Sequence, residues 1–209
     1  MDIIKSLEWR YATKQFNEDK KLSSEDLQTI LNAVNLAPSS YGLQPFNVLV
    51  IEDPAIREQL KQAAYGQRQV TEASQVIVFA ANNNISNVHV DEFLNRISKV
   101  TGAPLEALAK YEKMMKAKID SRNSDELLTW AAKQCYIALG FLLTTCSQLK
   151  IDACPMEGFD TDSFDEILNL KEKNLNSIVM ATVGYRSDDD KYQHNPKVRK
   201  DINDLIIQY

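Results

Sequence analysis

DELLTWAAKQCYIALGFLLTTCSQL, residues 125–149, decides the fold. Trp130, Ala131, Cys135, Ile137, Ala138, Leu139, Phe141, Leu142 and Leu143 recur at helical spacing and leave little polar face in the second half. A helix that is apolar all round must be covered on all sides. In a chain of 209 residues that demands a central position, or a subunit interface that completes the burial. The longest apolar run within it, 135–146, is well short of the roughly 20 residues that cross a bilayer. It is read as a buried helix of a soluble protein, with no membrane partner.

Outward from this helix the pattern is mixed. Residues 3–9 place Ile3, Ile4 and Leu7 at helical spacing, and Ser23 followed by Asp26 resembles a capping box before the stripe Leu27, Ile30, Leu31, Val34. Three runs rich in β-branched residues, 46–53, 75–81 and 177–185, read as buried strands. Asp53-Pro54 opens a helix with Pro at its first position. Residues 86–120 read as a polar helical excursion broken at Gly102–Pro104, CPMEGFD (154–160) as a loop, and a helix follows from Asp160 or Thr161. After the polar segment 187–201 the chain ends on INDLIIQY, an apolar tail that must dock somewhere, a sheet edge of its own or of a partner being one place. The fold class expected is α+β, a single domain over 1–209 with several helices around a small sheet; helices and strands alternate too irregularly for a doubly wound fold.

Composition excludes several functions. With 24 basic and 29 acidic residues the net charge is −5, which offers no general footprint for nucleic acid or anionic lipid, although a local basic pocket remains compatible. The six glycines are never closer than 18 residues, so the dinucleotide fingerprint, the P-loop and the nucleophile elbow are absent. Two histidines, His89 and His194, exclude a multi-histidine metal site. Three cysteines without a CxxC pair, and no signal-peptide core at the N-terminus, read as reduced thiols in a cytoplasmic protein.

The chemistry-bearing groups are scattered. Arg10 and Lys14 share a face if their segment is helical, and Lys197 and Arg199 share a side of an extended chain. Alone each pair is an ordinary surface pattern; together around one phosphate, charge-assisted hydrogen bonds of roughly 1.5–3 kcal/mol each would anchor a cofactor tail. Pro38-Ser39-Ser40-Tyr41-Gly42-Leu43-Gln44-Pro45 offers hydroxyls and an amide to a planar polar ligand, or is simply a connecting turn. In Pro155-Met156-Glu157-Gly158-Phe159 the glycine permits close backbone approach, or marks a helix entry.

RYATKQF, APSSYGLQPF, PMEGF, and VGY followed by NPKVRKD occur in the order seen in FMN-dependent nitroreductases, and the sequence resembles that family over essentially its whole length, most of all the oxygen-insensitive bacterial NAD(P)H nitroreductases and dihydropteridine-reductase-like members. The resemblance implies a homodimer around a central small mixed sheet, with residues 125–149 as its spine, each apolar tail embracing the other subunit, and two interfacial FMN sites. It implies that Arg10, Lys197 and Arg199 hold the FMN phosphate, that Tyr11 and Ala12 contribute main-chain contacts, and that Lys14 reaches the ribityl chain and the N1–O2 edge. It places the Glu157 and Gly158 N–H groups near N5 and O4, Pro155 and Met156 against one ring face, Gln69 at the polar edge, and Ser39, Ser40 and Gln44 along the cofactor, the serines from the partner. Phe93, Tyr111 and Met114 or Met115 of a lid over 86–120 become candidates for touching the acceptor, or for packing the lid to the body. The implied activity is ping-pong hydride transfer from NAD(P)H through flavin N5 to nitroaromatics, quinones or similar planar acceptors, with no protein acid or base required. Reduction of free flavin, a pteridine or an enone, flavin binding without turnover, and a plain acidic interaction protein are the alternatives. The sequence departs from the family where His-Ser is common (Tyr11-Ala12), at Gly42 (often Asn), at Phe46 (often Trp), and at Gly66 and Gln69 (often Asn and Lys).

Overall fold

The computed structural model describes residues 2–209. Strands β1 (Phe46–Ile51), β2 (Gln75–Asn82), β3 (Asp152–Met156) and β4 (Leu175–Gly184) form one sheet in the order β1-β2-β4-β3. All three ladders are antiparallel, pairing Phe46 with Ala81, Gln75 with Val183 and Asp152 with Gly184. The expected mixed character is confined to one parallel bridge, Ala12 to Ala153, along the outer edge of β3. β2 and β4 are buried on both faces, which is why they read as continuous apolar runs.

Successive strand residues point to opposite faces, so the sheet separates two apolar layers. Ile77, Phe79, Val179 and Ala181 face one core; Val76, Val78, Met180 and Cys154 face the other. Against the first face pack α2 (Ser24–Asn35), α5 (Asn87–Thr101), α6 (Ala109–Asp120) and α7 (Ser124–Leu149). Against the second pack α3 (Pro54–Ala63), α4 (Gln69–Glu72) and α8 (Thr161–Ile167). The remaining helices, α1 (Ile3–Trp9) and α9 (Ile202–Leu205), mark the chain ends.

α7 is the long apolar helix expected, apolar enough to cross a membrane by length and composition, yet docked through Ala131, Cys135, Ala138 and Leu142 onto the sheet and α2. Its other face stays uncovered by this chain. Tyr136, Ile137 and Phe141 are about 40% exposed, at 43%, 40% and 39%. Around Gly140 and Thr144 they line a groove of ≈ 370 Å³. The tail is equally unaccommodated: Ile202, Leu205, Ile206 and Ile207 are all exposed.

Three expectations need correction. The 154–160 loop begins as strand, because β3 runs to Met156; Pro155 masked it, being tolerated only on an edge, where its missing N–H is not needed. Residues 10–13 are extended, so the helical condition for Arg10 and Lys14 is not met: α1 stops at Trp9, Arg10 has φ −70 and ψ 143, Ala12 bridges β3, and the chain bends at Lys14. Arg10 and Lys14 still come together, both charges acting on Cys154. The 86–120 excursion breaks at Gly102 as expected, yet buries Val90, Leu94, Met115 and Ile119 in the α7 core.

Candidate functional site

The β3 edge gathers both chain ends. Ala12 bridges Ala153, Phe16 bridges Arg186, and the Ser187 N–H donates to the Gln15 carbonyl at 3.0 Å. Arg10, Lys197 and Arg199 meet there. Burial first, and then the Arg199 charge, lower the Arg10 proton affinity. Burial, followed by the Arg10, Arg199 and Arg186 charges, holds Lys197 below the usual lysine range. None of the three forms an ion pair among the described residues. Lys197 Nζ donates to the Glu8 carbonyl at 2.5 Å, and the buried Arg10 Nε has no partner at all. A cluster of like charges with an orphaned donor is built for an anion supplied from outside.

Lys14 lies beside this cage, its ammonium 3.9 Å from Cys154 Sγ on β3. Gln69, buried at the start of α4, also bonds the Cys154 thiol. Burial pushes that thiol up, against the opposing pull of Lys14, Gln69 and Arg10. The Pro155–Gly158 turn continues β3. Its Glu157 carboxylate accepts from the Tyr136 hydroxyl at 2.6 Å, and its Gly158 carbonyl accepts from Gln67 Nε2 at 2.7 Å. Partial desolvation, and then the facing Glu157 carboxylate, push the Tyr136 hydroxyl up to about 12.

Ser39, Ser40 and Gln44 sit elsewhere in the same chain. The Ser40 N–H donates to Gln134 Oε1 at 2.9 Å, the Gln44 N–H to Ser39 Oγ at 3.0 Å, and Gln44 Nε2 to the Asn35 carbonyl at 2.9 Å. Gln134 and Tyr136 are two residues apart, hence ~200° around α7. The serine loop and the Glu157 turn therefore lie on different sides of the spine.

The proposed acceptor contacts also change. Met115 is 1% exposed and belongs to the core, so it cannot meet an acceptor. The Tyr111 hydroxyl donates to the Tyr41 carbonyl at 3.0 Å, and the Phe93 ring lies against Gly42, where a Cβ would come within 3.0 Å of Cζ. Both therefore fasten the excursion to the 39–44 loop. Met114, 48% exposed, remains free of the core. A cavity of ≈ 550 Å³ between α2, β1 and α5 has Gln44, and no other residue of the anticipated site, in its lining.

Sequence reading missed two carboxylates that organise the site. Asp152 accepts from the Arg186 N–H at 2.9 Å and from Arg186 Nε at 2.8 Å, while the guanidinium lies 4.3 Å from the Trp9 ring centre and 4.6 Å from that of Tyr11. Asp190, in the acidic run 188–190, is 1% exposed and accepts four hydrogen bonds. Nothing in a run of three aspartates distinguishes the one that folds inward.

Comparison with known proteins gives this arrangement a lineage. The nitroreductase family model matches residues 7–185. A Staphylococcus epidermidis protein provisionally named an NAD(P)H nitroreductase is 35% identical over 98% of this chain and 95% of its own length. A similarly named Staphylococcus haemolyticus protein is 36% identical over the same shares. Among solved structures, an Exiguobacterium sibiricum protein provisionally named a nitroreductase, crystallised with FMN, superposes with a TM-score of 0.88 at 20% identity, covering 100% of this chain and 98% of its own. On that match and these relatives, the chain belongs to the nitroreductase family.

Proposed function

We propose that this protein is an FMN-dependent NAD(P)H oxidoreductase that reduces planar acceptors such as nitroaromatics or quinones, and that it works as a cytoplasmic homodimer whose chain forms one FMN-binding domain over 1–209. The observation that carries this reading is the unpaired cage of Arg10, Lys197 and Arg199, with its buried, partnerless Nε. A phosphate monoester fits it: guanidinium forks take two oxygens each, and Lys197 adds a point charge.

Such a flavin supplies reversible two-electron chemistry, which lets NAD(P)H and the acceptor use one cleft in turn without a separate nicotinamide fold. The rest falls to the chain. Tyr11 and Ala12 hold the main chain against the cofactor's tail. Lys14 brings a positive charge, and Gln69 a neutral amide, to the polar edge of the ring. The Pro155–Gly158 turn presents backbone donors, because its Glu157 side chain is engaged by Tyr136. Pro155 supplies apolar cover that keeps water from one face, whereas Met156, expected beside it, is buried in the second core and supports the strand from beneath. Gln44 lines the cofactor, and Ser39 and Ser40 complete the pocket from a second copy; the uncovered α7 groove and tail support that assembly, because pairing two such faces buries both.

Anaerobic addition of NADH or NADPH to the FMN-loaded protein tests the reading. Bleaching of the flavin band, and its return on adding a quinone or nitroaromatic, is expected. A flavin that stays oxidised with both nucleotides would leave only a binding protein.

A further inference from the structure

Two segments distant in sequence bring the cations of the cage: Arg10–Lys14, and the stretch from Lys191 to Arg199. One buried carboxylate joins them. Asp190 Oδ2 accepts from the Tyr11 hydroxyl at 2.9 Å, from the Lys14 N–H at 2.7 Å and from the Gln15 N–H at 3.1 Å. Its other oxygen accepts from the Tyr192 N–H at 3.0 Å and so caps the turn Lys191–His194 that leads to Lys197 and Arg199.

The first segment is pinned at residue 11 and again at 14 and 15. Tyr11 turns to Asp190, while Arg10 and Lys14 both bring their charges towards Cys154. Arg186, fixed by Asp152, lies over the Tyr11 ring. All four of its hydrogen bonds come from backbone N–H groups and the tyrosine, none from a cation of the cage.

We infer that Asp190 is the positioning residue of the phosphate site: by holding the Arg10–Lys14 segment and the Lys197–Arg199 segment on one carboxylate, it sets the spacing of the cations that receive the anion. Tyr11, which stands where the family often has His, is its side-chain partner. The inference rests on the flavin reading above. An asparagine at 190 would keep the shape but lose the charge, and its Nδ2 would face a donor that the carboxylate had accepted.

FMN and riboflavin, titrated separately by flavin fluorescence into the parent, Asp190→Asn, Tyr11→Phe and Lys197→Ala, test it, with thermal melts as the folding control. Asp190→Asn should weaken FMN tenfold or more and riboflavin less than threefold, since riboflavin has no phosphate to misplace; Tyr11→Phe should weaken FMN two- to fivefold with the same selectivity. A folded Asp190→Asn protein that loses both ligands equally, or neither, overturns the inference. Should Asp190→Asn not fold, Tyr11→Phe decides, and unchanged FMN affinity there overturns it. Lys197→Ala separates the two levels: selective loss in this variant alone defeats Asp190 and leaves the flavin reading standing, whereas no selective loss in any variant defeats the flavin reading itself.

Discussion

Gly42 shows how a single position ties two parts of the molecule together. Its φ is +75°, and neighbouring Tyr41 and Gln44 are also positive, at 60° and 48°, so the loop is held away from relaxed backbone by its bonds to α2, α6 and α7. A side chain at 42 would meet strain and the Phe93 ring together. Gly42→Ala should therefore cost about 1–3 kcal/mol in chemical denaturation. The same change made in Phe93→Ala should cost less, because only the backbone strain remains; equal costs in the two backgrounds would show that the ring contact is immaterial. Gly66 shares the positive φ but has open space, so only its conformation restricts it. Of the residue-scale departures from the family pattern, Gly42 thus has a structural cause, and Gln69 has a defined partner in Cys154.

The spine carries the argument at the scale of elements. An 18-residue stretch with too little polar surface was legible as a covered helix because burial must be completed somewhere, and the structure leaves that completion to another surface. Gly140 offers a clean probe, since a Cβ added there meets nothing within 4 Å of its own chain. Gly140→Leu should leave the folded subunit intact, with a helix-propensity gain of somewhat under about 1 kcal/mol, yet prevent close approach of a second spine. Sedimentation equilibrium should then report monomers for the variant and dimers for the parent; a variant that is still dimeric would place the interface elsewhere. Other elements were legible for equally local reasons. Pro54 opened α3, and Gly102 closed α5 in a left-handed conformation. β3 was not legible: five residues with a proline inside carry no strand signal without the neighbouring β4 ladder. The 86–120 excursion hid its core contacts because only Val90, Leu94, Met115 and Ile119 turn inward among many polar residues.

At the scale of the whole molecule, an acidic protein concentrates basic residues where its two ends meet. The four cations could be named from sequence, and two of the pairings, Arg10 to Lys14 and Lys197 to Arg199, followed from spacing. What joins the pairs could not be read, because Asp190 and the Asp152–Arg186 pair act through contacts between residues some 175 and 34 positions apart. The cage also explains why net charge alone is a poor guide here: −5 overall coexists with a local cluster of cations that form no ion pair among the described residues. Isothermal titration of the parent protein with FMN and with riboflavin tests this account most directly. One FMN per chain, bound at least 100-fold more tightly than riboflavin, is the predicted result. Equal affinity for the two, or no uptake of FMN, would contradict it.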